Sequence, residues 1–331
     1  MIVVRTPFRL PLGGGGTDLP SYYKKHEGFL VTAAINKYMF INLNNPAIVD
    51  KIKINYSKTE IVDIDKISTI QHDIVRESFR YLKIKEPIEI GSMADLSAGT
   101  GMGSSSSYTV GLLRALNSMK RRYVSVHELA EEACKVEIDL IGKPIGKQDQ
   151  YAAAYGGMIT LEIDTLGNVT VTPLKIHDET VHELESRLLM FYTNIQRDAN
   201  DILGEQSEKA KVGESVAIQS MHRIKEIGRE IKLALENDNV TSFGKLMNEH
   251  WLEKKKISAK MSTSNIDKWY ETGLANGAIG GKIMGAGGGG FLVFCCEPGK
   301  RKALRCAIEK EGLKFMDFKF DWEGSKVLVD I

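Results

Sequence analysis

The stretch Asp95–Ser107, DLSAGTGMGSSSS, constrains this chain more than any other. Glycines at 99, 101 and 103 let the backbone approach a ligand closely and take conformations that other residues avoid. Ser104 to Ser107 follow, and Tyr108, Val110, Leu112, Leu113 and Leu116 come after them in a helix-like apolar pattern. The pattern predicts a glycine loop running into a helix that starts at the serines. Helix N-termini carry free N–H groups and partial positive charge, so such a junction is suited to cradling phosphate. Serine hydroxyls there cap the helix, bond a phosphate or reach a magnesium ion. A flexible Gly/Ser linker would lack the regular apolar flanks.

The 331 residues, 43% hydrophobic and 26% charged, are enough for two domains of ordinary globular composition. A net charge of +1 gives no reason to expect nucleic acid or a membrane surface as partner. No apolar run approaches the roughly 18 residues of a transmembrane helix. The N-terminal MIVVRTPFRLPL reads as a strand, not as the apolar region of a signal peptide. Cysteines 134, 295, 296 and 306 form no CxxC pair, and Cys295 and Cys296, within the apolar run FLVFCC, are expected as core residues in a reducing cytosol.

Along the chain, strands are predicted at Ile2–Phe8, Phe29–Ala34, Tyr38–Leu43, Lys51–Tyr56 and Pro87–Ile90. Helices are predicted over Ile67–Leu82, from Ser104, over Val126–Leu140 and from Gln148 to Tyr155, with a Gly/Pro loop at Gly142–Gly146. A hairpin, Met158–Ile163 with Val169–Leu174, turns at Leu166-Gly167-Asn168. The second half reads as strand Arg187–Tyr192, helices Asp198–Lys211, Val216–Glu236, Val240–Lys256 and Ser264–Asn276, then strands Ala278–Ile283 and Phe291–Cys296. Helix Gly299–Gly312 and strands Lys314–Asp321 and Lys326–Asp330 close the chain. The alternation lacks the regular period of a doubly wound sheet, so the expectation is two α+β domains, 1–180 and 181–331.

Several chemistries are excluded by motif. No GxxxxGK[ST] is present, and HRD and DFG are absent. Gly285–Gly290 satisfies GxGxxG only because five of its six residues are glycine, and a strand follows it where a dinucleotide site needs a helix. The seven histidines show no zinc spacing. Carboxylates are the better candidates. Glu137 ends a helix, and Asp149 lies twelve residues on, near Lys147, whose charge favours an ionised carboxylate. Such an aspartate can accept a hydroxyl proton or orient that hydroxyl for attack on a phosphoryl group. Asp18, after GGGGT, suits bidentate bonding to sugar hydroxyls or, more simply, a turn before Leu19-Pro20.

Taken together, TPFRLPLGGGGTD (Thr6–Asp18), DLSAGTGMGSSSS (Asp95–Ser107) and KIMGAGGGGFLVF (Lys282–Phe294) resemble the three motifs of the GHMP kinases, in that family's order and over nearly the whole chain. EIDLIGKPIGKQDQYAAAYGG, between the second and third, strengthens the resemblance. It implies an α+β, two-domain GHMP kinase fold: an N-terminal domain like ribosomal protein S5 domain 2, a ferredoxin-like C-terminal domain, and an active site between them. It implies ATP held by Gly99, Gly101, Met102, Gly103, Ser104, Ser105 and Ser106, Mg²⁺ on Ser105 and Glu137, Asp149 as catalytic base and Arg9 beside it. The sugar is expected on Gly15, Gly16, Asp18, Lys147, Arg197, Gly287 and Gly288.

Where the galactokinases carry Gly-Glu-His-Thr-Asp, this chain has Gly14–Asp18, Gly-Gly-Gly-Thr-Asp. GGGGTD, GKQDQYAAAYGG and GAGGGGF are most similar to the branch that phosphorylates D-glycero-D-manno-heptose 7-phosphate on its anomeric hydroxyl, with the fucose 1-kinases next. Cations for a distal phosphate are expected among Lys24, Lys143, Lys147 and Arg197, with Arg197 favoured because NIQRDAND follows a strand into a helix start. Partners are then ATP and a sugar phosphate, in a cytoplasmic monomer or homodimer. A non-catalytic sugar or nucleotide sensor and an ATP-dependent decarboxylase are the other classes the fold allows.

Overall fold

A computed structural model describes residues 1–196 and 215–331. Arg197 and the predicted helix Asp198–Lys211 lie outside the described residues. Two β-sheets organise the chain. The first holds β1 (Ile2–Gly13), β2 (Gly28–Asn44), β3 (Lys51–Asn55), β4 (Thr59–Asp63), β5 (Glu89–Ala94), β6 (Met158–Ile163) and β7 (Val169–Pro173). The second holds β8 (Leu188–Tyr192), β9 (Ala278–Ile283), β10 (Phe291–Cys296) and β11 (Lys314–Met316), all antiparallel in the order β11-β8-β10-β9. The last strand, β12 (Lys326–Asp330), returns to the first sheet and pairs with β1.

The helices are α1 (Pro20–His26), α2 (Asp73–Leu82), α3 (Ser104–Met119), α4 (Val126–Cys134), α5 (Gln148–Tyr155) and α6 (Asp178–Arg187). After the undescribed segment come α7 (Ser215–Glu236), α8 (Val240–Ile257), α9 (Ser264–Ala275) and α10 (Arg301–Lys310).

Three departures from the sequence reading matter for the site. First, β1 does not stop near Pro7 but runs through Pro7 and Pro11, with register shifts beside both. Proline lacks an N–H and cannot complete a regular ladder, so the strand survives by slipping register, and this carries Arg9 and the first glycine loop onward. Second, Phe29–Ala34 and Tyr38–Leu43 are one strand. β2 lies along β1 on one edge, while its other edge pairs first with β6 and then with β5. Third, the helix Val126–Leu140 changes at Cys134 into a π-helical turn, Lys135–Leu140, which carries Glu137. Such turns interrupt regular helix packing and recur at functional sites.

Packing crosses the expected boundary at residue 180. β12 completes the first sheet, and α7 packs on β1 and β2. One apolar core runs from Phe8, Leu10 and Leu30 through Ile227 and Ile231 to Phe291 and Val293. The stretch 181–331 also builds its own sheet and a second apolar core around Leu189, Phe191, Trp251, Leu292 and Phe294. Its last strand and its first described helix belong to the N-terminal half's packing.

Candidate active site

The phosphate-cradle loop is fixed by backbone contacts. α3 begins at Ser104, as the serine pattern predicts, with Gly103 before it in the left-handed region at φ 79°. No side chain caps this end of the helix. The Arg9 backbone N–H donates to Met102 O at 3.2 Å, and the Ser107 hydroxyl donates to Pro7 O at 2.9 Å. Met102, expected against ATP, is fully buried in the core and anchors the loop from behind. Gly99, Gly101, Gly103, Ser104, Ser105 and Ser106 line a cleft of about 1080 Å³.

Arg9, itself buried on β1, crosses that cleft. Its Nε and Nη2 donate to Asp149 Oδ1 and Oδ2 at 2.7 and 2.8 Å, and its Nη1 donates to Gly101 O at 2.6 Å. The bidentate pair fixes the Asp149 carboxylate in one plane. A Cβ on Gly103 would stand 3.1 Å from Asp149 Oδ2, so the carboxylate lies directly against the loop. Asp149 sits in the first turn of α5 and keeps about a quarter of its side chain exposed.

Asp18 lies across the cleft, buried, with Oδ1 accepting from Gly16 N at 3.0 Å and Oδ2 from Gln148 N at 3.1 Å. Burial pushes its carboxyl above the usual range, while those two backbone N–H groups pull it back down. Gly146 makes the seat: a Cβ there would stand 1.9 Å from Asp18 Oδ2. Gly15 and Gly16 line the same cleft.

Glu137 is fully buried and accepts three bonds: from Ser105 Oγ at 2.6 Å, Gln150 Nε2 at 2.9 Å and Lys143 Nζ at 3.2 Å. The Lys143 amine also donates to Ser105 Oγ at 2.8 Å. A cation therefore already bridges the two residues expected to hold Mg²⁺. Hard oxygen donors suit that ion, which takes one or two carboxylates and completes its shell with phosphate and water. Among the described residues no three His, Cys, Asp or Glu side chains gather to hold a metal by themselves. The donor set fits a metal that arrives with a nucleotide.

The third glycine loop, between β9 and β10, closes onto the second. A Cβ on Gly285 would meet Gly101 O at 2.6 Å, and both glycines have positive φ. Gly285 and Ala286 line the cleft. Gly287 and Gly288 do not. Gly288 N donates to Met261 O at 2.9 Å, and Gly287 packs on Met261, so they brace the loop from outside. Lys147 also departs from expectation. Its amine donates to Glu131 Oε1 at 2.9 Å and Gly167 O at 2.7 Å, in a separate depression that Lys24 shares. Neither lysine faces the cleft, and Lys143 is committed to Glu137.

Sequence reasoning missed four residues. Gln148 lines the cleft with a buried Nε2 that has no partner among the described residues. His250, Lys254 and Lys282 line it from α8 and β9 and are almost wholly buried. A signal was present for two of them: His250 and Lys254 share the helix face of Met247, Trp251 and Ile257, an apolar stripe where charge is costly.

Residues 69–157 match the model of the GHMP kinases N-terminal domain, and residues 231–314 match that of the GHMP kinases C-terminal domain. A D-glycero-alpha-D-manno-heptose 7-phosphate kinase from Campylobacter jejuni is 33% identical, over 98% of each chain. The crystal structure of a D-glycero-D-manno-heptose 1-phosphate kinase from Bacteroides thetaiotaomicron superposes with a TM-score of 0.82 at 26% identity, covering 100% of both chains. A galactokinase from Pyrococcus furiosus is 26% identical, over 99% of this chain and 97% of its own.

Proposed function

The chain belongs to the GHMP kinase family, and from that premise we propose that it phosphorylates the anomeric C1 hydroxyl of D-glycero-D-manno-heptose 7-phosphate, giving the 1,7-bisphosphate. It is an ATP-dependent phosphotransferase of the sugar kinase kind, in the two-domain α+β fold of that family. The observation that carries the finer reading is the 33% identity to a heptose 7-phosphate kinase across essentially both full lengths. The place of this step is the route to GDP-activated heptose for surface polysaccharide.

Mg-ATP lies with its phosphates over Gly101–Ser106, at the uncapped start of α3. Ser105 and Glu137, now bridged by the Lys143 amine, would hold a magnesium ion, which would supply charge neutralisation on the phosphates. The sugar lies against Asp18 and Gly15–Gly16, with the Gln148 amide free to bond a hydroxyl. Asp149 takes the C1 hydroxyl proton as that oxygen bonds the γ-phosphorus and the bond to the bridging oxygen of ADP breaks. Both Asp149 oxygens accept from Arg9, and each keeps a further acceptor site for the incoming proton. Arg9 holds the base in line and places positive charge beside the transferring group.

Gly146→Ala drives a methyl group into the Asp18 carboxylate. The KM for the sugar is expected to rise roughly 10- to 100-fold, the worth of hydrogen bonds to a charged group, with the KM for ATP unchanged. Steady-state kinetics in each substrate separates the two. An unaltered sugar KM removes Asp18 from the sugar site.

The function itself is tested by coupled ADP release with Mg-ATP. The acceptors are D-glycero-D-manno-heptose 7-phosphate, the same heptose 1-phosphate, fucose, galactose and mevalonate. Selective turnover of the 7-phosphate is expected. Turnover of fucose or the 1-phosphate in its place overturns the substrate and keeps the chemistry, and ATP binding without turnover of any acceptor favours the sensor class.

A further inference from the structure

We propose that Lys254 and Lys282, with His250 beside them, form the subsite that receives the phosphate already carried by the sugar. This rests on the sugar phosphate reading above and locates the group that reads the phosphate.

α8 and β9 pack together and bring the three side chains to the cleft wall. Among the described residues neither amine has a carboxylate partner. Lys254 Nζ donates to Gly285 O, and Lys282 Nζ donates to Leu12 O at 2.9 Å. Among the described residues, neither buried ring nitrogen of His250 has a hydrogen-bond partner. An ammonium has three donors, so each lysine has donors beyond the one its carbonyl takes up. Buried cations are normally paired or held for a ligand, because taking them out of water is costly.

The charges around the cleft make the same point. Arg9 is matched by Asp149 and Lys143 by Glu137. Among the described residues, Asp18 is the carboxylate whose field reaches Lys254. Burial, and then the neighbouring cations, lower the Lys254 amine to about 8 and push Lys282 and His250 below their usual ranges. A phosphomonoester dianion supplies the missing negative charge and acceptors for the free donors of all three groups.

The location selects which phosphate. Lys282 Nζ is anchored on Leu12 O, just before the glycine loop that carries Gly15, Gly16 and Asp18, and Lys254 Nζ on Gly285 O of the third loop. The subsite is thus assigned to the acceptor because its Lys282 anchor adjoins the loop that carries Asp18. It replaces the surface lysines 24 and 147, which face a different depression.

The test compares D-glycero-D-manno-heptose 7-phosphate with the unphosphorylated heptose, in the wild type, Lys254→Met and Lys282→Met. Affinity is measured by calorimetry without ATP, and kcat/KM by ADP release. Methionine keeps the length of the buried stem and removes an unpaired buried charge, so the fold is expected to hold. The second variant carries the test if the first does not fold. The expected result is a loss of roughly 10- to 100-fold for the phosphorylated sugar, with affinity for the unphosphorylated heptose unchanged. Equal losses for both sugars, or none, overturn the subsite and leave the kinase reading standing. A wild type that binds and turns over both sugars equally overturns the sugar phosphate reading and the subsite together.

Discussion

Asp149→Asn is expected to lower kcat by about 10²- to 10⁴-fold, the usual worth of a positioned general base. Asparagine has nearly the same shape, so the α5 turn and the contact with Gly103 are kept. It cannot take up the hydroxyl proton at a useful rate. Its amide nitrogen must also face one of the two Arg9 donors, which leaves a single bond where there were two. The KM values for ATP and sugar are expected to stay within a few fold, because Asp149 is assigned to neither ground-state complex. That split between kcat and KM marks an interaction made mainly in the transition state. A variant within tenfold of wild type in kcat means that Asp149 is not the base.

Glu137→Gln is expected to have the next largest effect, through magnesium. The carboxylate is fully buried and serves three donors at once, on Ser105, Gln150 and Lys143. A glutamine presents one oxygen and one NH₂ to the same three, so one donor loses its partner and the charge that attracts the metal is gone. The concentration of Mg²⁺ needed for half-maximal activity is expected to rise about 100-fold, at the upper end of what is seen when a metal site loses a supporting group. The dependence of ADP release on Mg²⁺ at fixed ATP checks this. An unchanged Mg²⁺ dependence removes Glu137 from the metal site.

Much of this site was legible in the sequence because it is built from local signals. The start of α3 at Ser104 follows from three glycines, four serines and an apolar helix pattern. Asp149 stood out in its Gly/Pro loop and Arg9 only through the family resemblance, and their pairing across 140 residues is a tertiary fact that no periodicity encodes. The prolines at 7 and 11 hid the length of β1, since a register shift beside a proline leaves no mark that separates it from a strand end. The return of β12 to β1 was hidden for the same reason as the Arg9 pair.

Of the expected cations, Lys24 and Lys147 face another depression, Lys143 lines the cleft, and Arg197 lies outside the described residues. Lys147 stood beside Asp149 in sequence, yet α5 turns the two apart, and the lysine finds Glu131 and Gly167 instead. Lys254 stood in a run of three lysines that reads as a solvated helix end. Phase along α8 distinguishes it, because only Lys254 of the three is buried, on the stripe shared with His250 and Trp251. Helical phase was a better guide to the cleft than closeness in sequence.

The central claim concerns which bond is made, so the product is the most direct measurement. The enzyme is incubated with Mg-ATP and D-glycero-D-manno-heptose 7-phosphate, and the product is followed by phosphorus NMR with coupling to the anomeric proton. The account predicts a second phosphorus signal coupled to the proton on C1, with the 7-phosphate signal retained and one ADP formed per new ester. A new ester at any other carbon, or ADP formed with no new sugar phosphate, would contradict it.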